Sequence, residues 1–433
     1  MLLKTLAPVM SLLLGISFLL AGNGLQTTLT PLRAALEDFS ALQIGLMGSG
    51  YYAGFVAGCL VGPYLILRAG HIRAFTALVA AASAIALVHP IAVDPIAWIA
   101  CRAVTGFSLA GLYLIVESWL NDRATNANRG FLMSAYIIVN YVAITAGQMM
   151  VTLAPLDTFN LFALASILVS VAAIPVALTR SAQPAPITLV RFNPLKLYRM
   201  APVAIVGSLM IGMANGAFWS LGTVFASQRG LGTDGVAMFM SAAVVGGALG
   251  QWPVGRISDR MDRRFVLVGV LAVSAVVAVL LATLTLPGPM LMAMGFVFGL
   301  TTLPAYSVAA AHAYDRASPD SYVETAAAIL LANGVGSVIG PLAASLAMDQ
   351  MGSAALFFYI AAVEVLLLLF VVLRVAVRTR PSAVERTGFD VYSTAPVGGP
   401  LTPDAFEDSH PMVAVPPEPL RADNDARKTG AAA

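Results

Sequence analysis

Arg102, Gly106, Tyr113 and Glu117 lie in one apolar stretch at spacings that place them on one stripe of a helix. The glycine would let a neighbouring helix approach. An arginine on such a stripe can hold an anionic group by charge-assisted hydrogen bonds or influence a nearby proton site. The competing reading is a guanidinium that snorkels to the outer interface, close to Asp94. Glu117 lies near the end of the stretch, where pairing with Arg123 or Arg129 competes with a functional role. Glu364 sits in the middle of another apolar run. The cost of facing lipid turns it inward, either as a proton site or as a helix-packing hydrogen bond. Asn140 and Asn333 each stand seven residues before a glycine, and Asn23 and Asn215 each directly precede one. These amides suit hydrogen bonding to a substrate or to facing helices, and both readings stay open. Tyr306 and Trp219 complete the set, the latter stacking on a ligand or standing in an aromatic belt. Trp98 and Trp119, close to the ends of apolar runs, read as belt residues.

No set of residues points to bond-breaking chemistry. Cys59 and Cys101 fall inside apolar runs, and no pair among the four histidines has metal-ligand spacing. There is no nucleophile–base–acid constellation and no Walker loop, so no enzymatic activity, cofactor or metal is expected.

The elements that must position these residues are membrane spans. The 433 residues are 59% hydrophobic and 11% charged, outside the range of soluble domains. Apolar runs able to cross a hydrocarbon core of about 30 Å recur twelve times. They lie near 5–27, 43–66, 74–93, 95–119, 130–153, 160–179, 201–226, 235–255, 265–286, 288–313, 322–347 and 353–374. The first could be a signal peptide, but it continues to about Leu25, long enough to span. Arginines concentrate in alternate loops, at 68–73, 123–129, 180–199, 256–264 and 316, while the opposite loops hold only Arg33 and Arg229. The bias predicts cytoplasmic termini, and an even number of spans agrees with it.

The densest loop is Gly255-Arg-Ile-Ser-Asp259-Arg260-Met-Asp262-Arg263-Arg264. Its surroundings belong to an internal repeat. A shift of 192 residues superposes Asn23-Gly24 on Asn215-Gly216, Gly54 and Gly58 on Gly246 and Gly250, and Arg68 on Arg260. A shift of 193 superposes Gly106 on Gly299, Tyr113 on Tyr306, Asp122-Arg123 on Asp315-Arg316, Asn140 on Asn333 and Gly147 on Gly340. The expected architecture is all-α: two pseudo-symmetric six-helix bundles, 1–180 and 201–380, joined by a cytoplasmic linker over 181–200. Residues 381–433 turn to Pro, Gly, Ala and scattered acids, a composition that predicts a disordered cytoplasmic tail.

The Gly255–Arg264 loop resembles motif A of the major facilitator superfamily. Arg102-Ala-Val-Thr-Gly106 with Gly111 is similar to its motif B. Val116-Glu117-Ser118, Arg129-Gly130 and Gly250-Gln251-Trp252-Pro253 resemble the YcaD-like group of bacterial inner-membrane members. The resemblance spans about Lys4 to Arg380. It implies a cavity lined by helices 1, 4, 7 and 10, and a gating role for Gly255, Asp259, Arg260, Arg263 and Arg264. The first-half copy of motif A carries Leu67 where the second half has Asp259. The resemblance implies that such an aspartate braces the partner bundle's helix terminus, so Asp259 should meet the start of helix 5 near Arg129 and make a lopsided latch. The helix-5 antiporter pattern is missing: helix 5 reads Gly147-Gln148, and Gly340-Pro341 occurs in helix 11 instead.

The expected function is secondary active transport of a small molecule across a bacterial inner membrane by alternating access, with protons as the candidate coupling ion. The alternative is a non-transporting receptor or scaffold that uses the tail. Expected partners are the substrate, the lipid bilayer and protons, with no nucleic acid and the chain acting as a monomer.

Overall fold

The computed structural model describes residues 9–125, 128–178, 194–317 and 321–377. Twelve helices long and apolar enough to cross a membrane are present among them. In chain order they are α1 (Met10–Leu36), α2 (Ala41–Ala69), α3 (His71–Ile91), α4 (Pro95–Arg123), α5 (Arg129–Met149) and α6 (Asn160–Val171), then α7 (Pro202–Gln228), α8 (Thr233–Arg260), α9 (Arg263–Thr283), α10 (Gly288–Tyr314), α11 (Tyr322–Met351) and α12 (Ala355–Val377). A 3-10 turn, Met150–Leu153, extends α5, and Ala173–Ala177 continues α6. Within the expected linker, Pro194–Met200 is helical. The expected tail, 381–433, lies outside the described residues.

Local chemistry sets the helix ends. Ser40 and Gln43 form a reciprocal capping box at the start of α2. Asp94 caps α4 by accepting from the Ala97 N–H at 2.9 Å, and Pro95 follows at the first helical position. Asp94 is thus engaged with its own helix. The first helix runs to Leu36 rather than stopping near 27, because Asn23, Thr27 and Thr30 on its polar face line an internal cavity instead of meeting lipid. An apolar-run criterion ends the span where the inward face turns polar.

The repeated glycines mark the closest helix crossings. A Cβ at Gly54 would meet the Ala103 carbonyl, and one at Gly106 the Tyr51 carbonyl, where α2 crosses α4. Gly246 and Gly299 stand in the same way against Phe296 and Ala243, where α8 crosses α10. Gly24 and Gly147 bring α1 against α5, and Gly216 and Gly340 bring α7 against α11. Such crossings let backbones approach where lipid offers no hydrophobic drive to association. The sequence repeat is therefore a repeat of helix contacts.

The short connections reverse the chain, so the start of α1 and the end of α12 share one side, here the terminal side. The buried cores differ between the two sides. Away from the termini, one core joins both bundles: Leu29, Met47 and Phe162 of the first share it with Phe218, Phe225, Phe239 and Phe357 of the second. Phe225 and Phe357 meet edge to face at 4.6 Å, and Phe218 and Phe298 pack at 4.9 Å. Toward the terminal side the first bundle has its own core around Ile16, Tyr113 and Tyr136, and the second has two separate ones.

Two tryptophans correct the sequence reading. Trp98 and Trp119 are fully buried and do not form an interfacial belt. Trp98 donates to the carbonyls of His89 and Ala92 and packs on Phe162, and Trp119 packs near His71. Hydropathy places a tryptophan along a span but not around it. The outward-facing one is Trp252, 68% exposed, with Arg256 stacked 5.0 Å from its ring.

Candidate substrate cavity

A cavity of about 170 Å³ lies between the bundles, beneath the shared core. Residues of α1, α2, α4, α5, α7, α8 and α10 line it. Helices 1, 4, 7 and 10 contribute as expected, and α2, α5 and α8 add to them. Arg102 is the single charged lining residue among those described. It is buried, with its guanidinium carbon 4.5 Å from the centre of the Tyr51 ring, so stacking occupies one face of the planar cation. Its Nη1 has no hydrogen-bond partner among the described residues. The snorkelling reading is thereby replaced by an inward-facing one.

Most of the polarity comes from the first bundle: Asn23 and Thr27 of α1, Tyr51 and Tyr52 of α2, Arg102, and Tyr141 and Gln148 of α5. Trp219 and Ser220 of α7 are the polar or aromatic contribution of the second. Tyr51, Tyr52, Tyr141 and Gln148 escape a reading of the sequence alone. The available signal is a helix-2 run of small and apolar residues broken by two adjacent tyrosines. The repeat puts Gly295 where the first half has Arg102, and Pro341 where it has Gln148. The scaffold therefore does not require either side chain.

The remaining candidates lie elsewhere. Tyr113 is buried in the first-bundle core, edge-on to Phe55 at 6.3 Å. Glu117 is buried and accepts from the Tyr136 hydroxyl at 3.1 Å. Asn140 donates to the Tyr136 carbonyl of its own helix at 2.7 Å. Asn333 donates to the Ser208 carbonyl of α7 at 3.2 Å. Each amide thus serves its own bundle, and neither lines the cavity. Asn215 is one position beyond Ala214 of the shared core, and Tyr306 packs against the second-bundle cores. Glu364 is buried between α9, α10 and α12, accepting from Ser274 at 2.7 Å and from Thr302 at 3.4 Å. It lies within the second bundle and does not line the cavity. Among the described residues no group of His, Cys, Asp and Glu could hold a metal ion.

The Gly255–Arg264 loop divides its work. Gly255 is buried in α8, and Asp259 and Arg260 are exposed near its end. Asp262 caps α9, accepting from the Arg264 backbone N–H at 3.0 Å and from the Arg264 guanidinium at 2.8 Å. Burial would raise the Asp262 carboxyl, but those hydrogen bonds and the arginine charge outweigh it and hold it below the ordinary carboxylate value. Arg263 forms an ion pair with Asp315 at the end of α10, Nε lying 2.8 Å from Oδ2 although the N–H is not aligned along that line. The second-half motif thereby caps α9 and ties it to the end of α10.

Two repeat-related hydrogen bonds cross between bundles. Ser49 of α2 donates to the Val338 carbonyl of α11 at 2.7 Å, and Ser241 of α8 donates to Gln148 of α5 at 3.4 Å. Gln251 of α8 also reaches the Tyr141 hydroxyl at 3.5 Å.

A family profile of the Major Facilitator Superfamily matches residues 12–287 and 204–416. The uncharacterised MFS-type transporter YcaD of Escherichia fergusonii is 30% identical over 366 residues, covering 84% of this chain and 94% of its own length. The MFS-type transporter Ent638_1421 of Enterobacter sp. strain 638 is 29% identical, covering 87% of this chain and 98% of its own. Among solved structures, a mutant form of the nucleoside transporter NupG superposes with a TM-score of 0.72 at 14% identity, covering 84% of this chain and 98% of NupG. A bacterial homologue of the human lysosomal transporter Spinster gives 0.66 at 13% identity, covering 88% and 97%. Those two likenesses establish the fold. With twelve apolar helices, the family profile and relatives matched over most of their length, the chain is a multi-pass inner-membrane transporter of the major facilitator superfamily, in its YcaD-like group.

Proposed function

We propose that this transporter moves a small molecule by alternating access, with the cavity around Arg102 as the site carried from one side to the other. One observation carries the reading: a single apolar core seals the bundles together on the side away from the termini, whereas toward the terminal side the buried cores are separate, with Leu330 of α11 a partly buried contact on the first. A cavity sealed from one side between two repeat-related bundles is what rocking of one bundle against the other requires. With the arginine-rich loops cytoplasmic, this conformation faces inward. The bundles correspond to residues 1–180 and 201–380, and the molecule works as a monomer.

Proton coupling belongs to the same proposal and rests on two buried carboxyls, Glu117 and Glu364. Failure of a pH gradient to drive flux in proteoliposomes would remove that part. The alternating-access reading is tested with a wedge. Gly45 lies against Ser345 across the sealed side, where an added side chain has no room unless the helices move apart. In a chain lacking Cys59 and Cys101, a reporter cysteine at Asn23 should react with a membrane-impermeant thiol reagent mainly from the terminal side, and Gly45→Leu should move the reaction toward the opposite side. The same sidedness with and without the wedge would overturn the reading.

A further inference from the structure

We propose that the cavity receives a small organic anion with a flat body, its acid group paired to Arg102. The inference deepens the transport reading and takes from it only that the cavity is the binding site. Three observations converge. Arg102 is 7% exposed, and no acidic side chain among the described residues pairs with it. A buried cation without a counter-charge is costly, and an anionic ligand offsets that cost. Stacking on Tyr51 covers a face of the guanidinium and leaves its in-plane N–H groups, the edge that grips carboxylate or phosphate with two parallel hydrogen bonds. Nη1 on that edge has no partner among the described residues.

The second bundle supplies the control. At the repeat-related position stands Gly295, where an added Cβ would lie within 2.8 Å of the Phe239 ring. The same fold closes that place with apolar packing, so the charge at 102 serves the cavity. Among the described residues no aspartate or glutamate lines the cavity to attract a cation. Tyr52, Tyr141 and Trp219 line its sides with flat ring faces, and Gln148 Nε2 is a second buried donor without a partner among the described residues. Asn23 Oδ1 and the Thr30 hydroxyl are neutral acceptors in the same lining, so the charge of Arg102 beside aromatic walls is what selects an acid on a planar body over an amine.

The test compares matched compounds on the purified full-length protein: benzoate with benzamide and benzylamine, and indole-3-acetate with indole-3-acetamide and tryptamine. Binding is read by thermal shift and by quenching of Trp219 fluorescence against a Trp219→Phe control. The acid of at least one set should bind saturably, with its amide and amine weaker by about tenfold or more. Arg102→Gln should abolish the difference and Arg102→Lys should keep part of it, which separates charge recognition from misfolding. The proposal is overturned if an amide or amine binds as well as its acid, if the effect survives Arg102→Gln, if chloride alone reproduces it, or if no acid binds. None of these outcomes touches the wedge test of alternating access, so the two readings fail separately.

Discussion

Ser49 and Ser241, superposed by the shift of 192, both donate across the bundle interface, to Val338 at 2.7 Å and to Gln148 at 3.4 Å. The two interfaces they serve are related by the repeat but built differently. At α2–α11 the bond goes to backbone, and Gly45, Gly48 and Gly334 let the helices close tightly. At α5–α8 it goes to a side-chain amide, followed by Tyr141 with Gln251. One seam is packed with small residues and the other is polar.

Gly45→Ala should therefore bias conformation more than stability, because the new Cβ would meet Ser345 and Pro341 across the bundle seam. Gly106→Ala, at the α2–α4 crossing inside one bundle, should cost about 1–3 kcal/mol of stability. Fluorescence size exclusion after heating separates them: Gly106→Ala loses its monodisperse peak at lower temperature, and Gly45→Ala keeps it. Equal losses would contradict the assignment of the two glycines to different interfaces.

The Arg263–Asp315 pair is buried, at 2% and 4% exposure. Removing one partner strands a charge, and Asp315→Ala should destabilise by about 3–5 kcal/mol. Arg263→Met combined with Asp315→Leu should recover much of the loss. Thermal unfolding of Arg263→Met, Asp315→Leu and the double variant measures it, and a double variant as unstable as the sum of those singles would refute the coupling.

Asp262 gives a pH dependence of defined sign. Its folded-state value lies below the ordinary 3.8, so its contribution to stability is present above that value and is lost as pH falls through the folded one. The gap in unfolding temperature between wild type and Asp262→Asn should hold from pH 7 to about 5 and close toward about pH 3. A gap that widens on acidification would contradict the cap.

Asp259, exposed near the end of α8, stands at the repeat position that the first half fills with Leu67. Asp259→Asn should raise labelling of a reporter cysteine on the terminal side, and Leu67→Asp should lower it, each several-fold for a brace worth about 0.3–2 kcal/mol. Unchanged labelling in both variants would remove the lopsided latch.

Span number and pairing are readable because glycines such as Gly54 and Gly106 recur at the crossings, where any Cβ meets backbone. The cavity is readable only in part. Arg102 and Trp219 stand out through their types, which are costly or rare in mid-span. Tyr51, Tyr52 and Gln148 do not, because nothing in a hydropathy pattern tells which side of a long helix faces the partner bundle. Asn140 and Asn333 draw attention as a repeat-related pair, yet their amides satisfy nearby carbonyls within each bundle. Repetition marks what the scaffold needs twice, whereas Arg102 and Gln148 have no repeated counterpart.

Rocking of the bundles about the cavity would show in two spin-label distances recorded on the same protein. One pair joins position 67 of α2 to position 261 after α8 on the terminal side, and another joins position 36 of α1 to position 351 of α11 on the sealed side; all four native residues are exposed. In liposomes, anticorrelated populations are predicted: long terminal-side distances with short opposite-side ones, and the reverse. Gly45→Leu, which has no room against Ser345, should shift the populations toward the second. A single distance at both pairs, or changes in the same direction at both, would contradict alternating access.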